Sequence, residues 1–264
     1  KAIEIAKKAI AERGDGIELT TKSRAHRIMG AIQMEAGDFK VAEQNFMISS
    51  EIASTYDSVK FLQLRAMAEH FLGMVNYNQS LFAKARAHFE AGISIYKSLP
   101  EDDVNELYTA YNLAQVLTIT GAINQAIEYQ HYTAKLMQER LDDPEPLMSY
   151  VYLGLGANYD QQGLDAKSIE YYRKALNISR KISPQSPNLT YILNNLSGVL
   201  GTNGQLEEAL VLAKESLSRS KELHGATHIE TAWAHVTIAA NYQKSGNYQQ
   251  AILEYEKAIP IFEI

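Results

Sequence analysis

His224 and His228, with Glu222 and Glu230 beside them, come nearest in this sequence to a set of metal ligands. Gly225 lies between the two histidines in what reads as a connection, so no helical face fixes their geometry, and no metal is expected there. Gly154-Leu155-Gly156 has the beginning of a dinucleotide loop, but no strand pattern precedes it and residue 159 is tyrosine where the loop needs glycine. The acidic runs Glu101-Asp102-Asp103 and Asp142-Asp143 read as charges at helix starts. No Ser-His-Asp arrangement, paired-carboxylate motif or phosphate loop is recognisable, so neither a catalytic centre nor a cofactor is expected.

Composition narrows the remaining classes. The 264 residues are 46% hydrophobic and 21% charged, enough to bury a sizeable apolar surface. The net charge is −6 and no Lys/Arg cluster survives the nearby acids, which argues against a phosphate-binding face and so against nucleic acid. Without cysteine there is no disulfide, thiolate site or cysteine nucleophile. No apolar run has transmembrane length and the first residues form no signal peptide, so membrane insertion is not expected. Asn-x-Ser/Thr matches occur at Asn78, Asn177, Asn188 and Asn195. Asn195 falls inside an expected packed helix, where a glycan fits poorly, and this favours a cytoplasmic location.

What positions any site here is a repeat. Met29-Gly30, Leu72-Gly73, Leu113-Ala114, Leu155-Gly156, Leu196-Ser197 and Ile238-Ala239 recur every 41 to 43 residues. Seven residues after each small residue stands Gly37, Ser80, Gly121, Gly163, Gly204 or Gly246, and glycine is the residue that best ends a helix in the left-handed conformation. Five residues further on come Ala42, Ala85, Ala126, Ser168, Ala209 and Ala251. Small side chains on both sides of a turn let two helices approach closely and antiparallel. Apolar residues between the columns follow the helical period, as in Trp233, Ile238, Tyr242 and then Tyr248, Ile252, Tyr255, Ile259. The spacing predicts six helical hairpins with first helices near 22 to 36, 60 to 79, 105 to 120, 147 to 162, 188 to 203 and 229 to 245.

These columns resemble the tetratricopeptide repeat, whose consensus joins an aliphatic-small pair and a Tyr to a Gly-Asp/Asn-Tyr turn, an Ala and an aromatic. The sixth unit matches best, through Ile238-Ala239, Tyr242, Gly246-Asn247-Tyr248, Ala251, Tyr255 and Ala258. Units of about 42 residues exceed the usual 34. That length, with Leu223-His224-Gly225-Ala226-Thr227-His228 before a first helix, is similar to the kinesin-light-chain variety. The third unit departs from the pattern with Gln130 and the fifth with Ala213 where an aromatic is usual, and looser packing is expected there. The resemblance implies an all-α, right-handed superhelical solenoid of antiparallel hairpins forming a single array over 1–264. Within it, 1–14 is the second helix of a truncated repeat, followed by repeats at 22–58, 59–100, 104–143, 145–183, 187–225 and 228–264. Ends without a polar cap offer a surface for self-association and suggest an excised part of a larger protein.

In this family, groove residues sit on the first helices at spacings of three and four, beginning six residues before the small column. Carried onto this chain, the leading residues are Arg24, Met67, Tyr108, Tyr150, Tyr191 and Trp233. Four consecutive aromatics exceed what a 9% aromatic content gives by accident. One turn further on stand Arg27, His70, Tyr111, Leu153, Asn194 and Val236, then Met74, Tyr77, Gln115 and Asp160, with Asn112 and Asn195 placed to bond a peptide backbone. The groove reading competes with one in which the aromatics pack on the end of the preceding second helix, and for the arginines with a solvated face. The expected function is a scaffold that binds a protein or peptide. The alternative is a ligand- or peptide-sensing domain that controls an attached effector such as a transcription factor, kinase, cyclase or phosphatase.

Overall fold

The computed structural model describes residues 16–100, 102–143, 145–182 and 185–263; the expected helix at 1–14 lies outside them. Among the described residues there are twelve α-helices and no strand. They are α1 Gly16–Glu35, α2 Phe39–Ala53, α3 Val59–Asn78, α4 Phe82–Ser98, α5 Asn105–Ile119, α6 Ile123–Arg140, α7 Glu145–Gln161, α8 Asp165–Ile182, α9 Pro187–Thr202, α10 Leu206–His224, α11 Ile229–Lys244 and α12 Tyr248–Phe262. The chain divides into two compact units, residues 1–136 and 137–264.

Each hairpin turns at its expected residue. Gly37, Gly121, Gly163, Gly204 and Gly246 have φ between 67° and 80°. Ser80 takes the same left-handed conformation at φ 60°, the one position where a Cβ must be tolerated in it. α1 begins at Gly16, six residues before the expected start. Thr20 is buried, so packing overrides the weak helix propensity of the Thr20-Thr21 pair.

The small columns are where the two helices of a hairpin cross. A Cβ on Gly30 would lie 2.7 Å from the Phe46 ring, on Gly73 2.5 Å from Phe89, and on Gly156 2.5 Å from Tyr172. Where the facing side chain is not aromatic, the first helix carries a larger residue: Ala114 in the unit of Gln130, Ser197 in the unit of Ala213. Gln130 and Ala213 are both buried, so the aromatic's place in those two units is filled by a shorter side chain. The second small column touches the first directly, with Ser168 Oγ donating to Gly156 O at 2.9 Å and Ser197 Oγ to Ala209 O at 2.7 Å.

Further contacts climb each hairpin in steps of seven residues of separation, one helical turn on each of two antiparallel helices. At a separation of 19 stand His26–Asn45, Glu69–His88 and His235–Glu254; at 26, Ser23–Ser49, Thr190–Ser216 and Glu106–Tyr132. Asn188, 39 residues after Ser149, donates to its hydroxyl at 3.2 Å. One of the four glycosylation matches is thus occupied in packing.

Within each unit, successive first helices approach one another: α1 to α3 and α3 to α5, then α7 to α9 and α9 to α11. Among the described residues α8, α10 and α12 make no comparable approach to one another. Long side chains span that wider gap, as in Arg173–Glu208 at 2.8 Å and Arg180–Glu215 at 2.5 Å. Each unit therefore curves with its first helices on the inner side.

Two substitutions test this packing. Gly156→Leu must displace the buried Tyr172 ring and is expected to cost about 1–3 kcal/mol, the range for overpacking, in chemical denaturation. Ser80→Gly relieves a left-handed non-glycine residue and should gain up to about 1 kcal/mol, whereas Gly121→Ser should lose a similar amount.

Candidate functional site

Unit one carries the basic and Met-bearing part of the expected groove. Arg24 is exposed on α1, and Arg27, one turn later, is half-buried with its guanidinium carbon 5.6 Å from the centre of the Phe71 ring. Burial, with Arg24 nearby, lowers the pKa of Arg27. On α3, His70 Nδ1 lies 3.0 Å from Thr109 Oγ1 of α5, and its ring stands edge-on to Phe71 at 5.3 Å. Burial first and the Arg27 charge second push the His70 pKa down to about 4, so the imidazole is neutral at physiological pH. Asn112 Nδ2 donates to Met74 Sδ at 3.1 Å, and Tyr77 meets Phe82 edge to face at 5.8 Å. Met67, Tyr111 and Gln115 are half-buried, and Tyr108 stands 39% exposed.

Unit two carries three aromatics of the leading column, Tyr150, Tyr191 and Trp233, exposed by 43%, 44% and 51%. Tyr191 donates its hydroxyl to Glu230 Oε1 at 2.8 Å, and this bond raises the phenol pKa. Trp233 meets Phe262 at 5.2 Å with the rings near perpendicular. Tyr150 borders a small cleft with Ser179, Ile182 and Ser186. Trp233 thus makes contact at the end of its own second helix, α12, and Tyr150 lines a cleft that reaches the end of α8. Leu153 packs on the core of α8 to α10. Asn194 is half-buried, and its Oδ1 has no hydrogen-bond partner among the described residues. Asn195 is half-buried beside it.

Phe71, Thr109, Glu230 and Phe262 complete these surroundings without having been singled out by the sequence pattern. Thr109 follows His70 by 39 residues, as Glu230 follows Tyr191. That separation is one repeat less one turn, the place where the next first helix comes alongside, and it is the signal that would have found them.

The motifs set aside on sequence grounds have structural roles. Gly154-Leu155-Gly156 lies within α7, with Gly156 against Tyr172. His224 and His228 stack 4.5 Å apart, and His228 Nδ1 accepts from the Glu230 backbone N–H as the cap of α11. Among the described residues no three His, Asp or Glu side chains converge as a metal site, and no helix is long and apolar enough to cross a membrane.

The tetratricopeptide repeat model matches residues 106–181 and 188–264. The chain belongs to the tetratricopeptide repeat family. Proteins built from this repeat are generally non-catalytic scaffolds that bind other proteins or peptides. BtubC from P. vanneervenii is similar at 17% identity, over 85% of this chain and 91% of that one, with a TM-score of 0.67. A putative kinesin light chain from Podospora anserina is similar at 20% identity, over 75% of this chain and 94% of that one, with a TM-score of 0.63. A signal transduction ATPase with a tetratricopeptide repeat sensor from Pyrococcus horikoshii is similar over 99% of this chain and 39% of that one, at 18% identity and a TM-score of 0.77. No curated protein matches the sequence. At these identities the likenesses concern the fold, and they bear out the kinesin-light-chain-like character of the repeats.

The His70 environment has a pH consequence. Its folded pKa lies below the ordinary value of 6.5, so the unfolded chain takes up a proton first as pH falls. The stability that a neutral His70 contributes is present above pH 6.5 and is lost progressively down to about pH 4, by up to roughly 3 kcal/mol over the range. Urea melts of the parent between pH 7 and pH 4 should show this loss, and His70→Gln should flatten that part of the profile.

Proposed function

We propose that this chain is a non-enzymatic scaffold that binds a protein or peptide on the face formed by its first helices. The observation that carries the reading is the exposure of Tyr108, Tyr150, Tyr191 and Trp233 in one column of first helices whose small-residue column, one to two turns on, is buried. Large rigid rings lose little rotamer entropy on contact, which is why such side chains tend to dominate recognition. The closer approach of successive first helices supports it, because the inner side of a curved stack can meet an extended ligand with several repeats at once. Gln115 and the unpaired Asn194 Oδ1 supply polar groups along the same face, and Asn112 would exchange its contact with Met74 for a peptide bond group.

A second reading follows from the sensor-bearing ATPase, 39% of which is similar to nearly the whole of this chain. Here the array is a sensor domain in which a bound peptide or small ligand shifts the relative positions of the hairpins and so controls an attached effector. An effector domain beside the array in the full-length gene favours this reading, and a cytoplasmic setting suits both.

A peptide selected against the purified chain from a display library tests the scaffold reading. Tyr150→Ala combined with Tyr191→Ala should weaken its binding at least about tenfold, on the order of 1.4 kcal/mol, with helical content unchanged by circular dichroism. A lower melting temperature with unchanged intrinsic affinity would assign the column to packing.

A further inference from the structure

The second helices of unit one meet across a different row of side chains from those of unit two. In unit two, positions 35 residues apart hold the ion pairs Arg173–Glu208 and Arg180–Glu215. Counted from the small residues Ala85 and Ala126, the corresponding positions of unit one hold Glu90 with Gln125, and Lys97 with Tyr132. Arg86 completes the first rung, donating to Glu90 Oε1 at 2.8 Å and to Gln125 Oε1 at 3.0 Å. The second rung has a ring where unit two has a carboxylate, and Lys97 Nζ rests 4.7 Å from the centre of Tyr132.

Beside that rung a cleft of about 280 Å³ is lined by Lys97 of α4 and by Glu128, Tyr129 and Tyr132 of α6. The two rings stand 82° apart with their centres at 6.3 Å, so they wall a corner. Both pack against the apolar core of α4 and α5, and Tyr132 donates its hydroxyl to Glu106 of α5. Rings fixed in this way cost little to organise when a ligand arrives. Burial, then Glu90 and, against the opposing Arg86, Glu128 raise the Tyr129 pKa, the sign expected beside negative charge. Glu128 is exposed and makes no hydrogen bond or ion pair among the described residues.

Ring faces attract cations, and Lys97 shows that this corner takes one. An ammonium on a single exposed ring is held weakly, however, and it leaves Glu128 unused. A guanidinium is planar, lies flat on a ring and offers its donors in pairs to a carboxylate, so it can use both. A carboxylate or phosphate would meet Glu128 and Glu90, and a purely apolar side chain would cover Glu128 without a partner. Ligand pockets span roughly 300–1,000 Å³, and a cleft at the lower limit suits one long side chain.

We infer that the cleft between α4 and α6 binds an arginine side chain of a partner protein, whose guanidinium displaces Lys97 from Tyr132, lies against the rings and pairs with Glu128. The site stands on the second helices and does not depend on the peptide reading of the aromatic column.

The full chain, isotope-labelled at tyrosine, can be titrated with N-acetyl-arginine methylamide, its neutral citrulline counterpart and its lysine counterpart at low ionic strength, with the Tyr129 and Tyr132 ring resonances as the readout. The arginine probe should shift both rings saturably and bind at least about threefold more tightly than either counterpart. Lys97→Met removes the resident cation and should tighten arginine binding about two- to fivefold, whereas Glu128→Gln and Tyr132→Leu should weaken it by a similar factor. Loss of folding does not produce opposite signs at neighbouring positions. If Tyr132→Leu fails to fold, the exposed positions Lys97→Met and Glu128→Gln decide. Tyr150→Ala with Tyr191→Ala should leave arginine binding unchanged, which separates this site from the aromatic column. No saturable shift, a citrulline or lysine probe that binds as tightly as arginine, a Lys97→Met variant that binds no better, or a Glu128→Gln variant that binds as well as the parent overturns the inference.

Discussion

A glycine on one helix facing an aromatic ring on its partner sets the spacing of the hairpins, and through it most of what the first helices display. Gly30 under Phe46, Gly73 under Phe89 and Gly156 under Tyr172 bring two helices close enough that even one added carbon would overlap the ring. Where the ring is replaced by Gln130 or Ala213, the small position holds Ala114 or Ser197, while the sixth unit keeps both a small Ala239 and the aromatic Tyr255. The hydroxyls of Ser168 and Ser197 add bonds to the backbone of the facing helix, a contact that only small neighbours permit.

Close helices inside a hairpin still leave a choice of curvature between hairpins. Within each unit successive first helices meet, and among the described residues of unit two the second helices stay apart, their gap crossed by exposed ion pairs such as Arg173–Glu208. Pairs of that kind contribute little individually, about 0–1 kcal/mol, and do not drive the curvature. It comes from the first helices, whose apolar and hydroxyl side chains can be buried from both sides. The first-helix face then holds two kinds of group that a packed interior would not keep: aromatic rings half open to solvent, and an arginine that forms no ion pair among the described residues.

The same face shows how a recognition surface is supported. His70 is tied to Thr109, Tyr191 to Glu230 and Asn112 to Met74, each contact linking one first helix to the next. A ligand that displaces any of them couples two repeats, which is the physical route by which the sensor reading would operate.

Helix class, hairpin number and turn positions were legible in the amino-acid sequence because they depend on local rules that recur at fixed offsets. Small columns, left-handed glycines and helical periodicity repeat six times, and Ser80 takes its place among the glycines because the repeat requires it. The columns also led to the residues of the inner face, since register along a helix follows from spacing alone. The tertiary structure decided which of those side chains are open and which are spent. Asn195 and Tyr191 are four residues apart, yet one is half-buried and the other is exposed and reaches Glu230 with its hydroxyl. Arg24 and Arg27 look alike in the sequence, but one is solvated and the other is half-buried against Phe71. Such distinctions depend on side chains from helices many residues away and on the water that their packing excludes, and no local pattern records either.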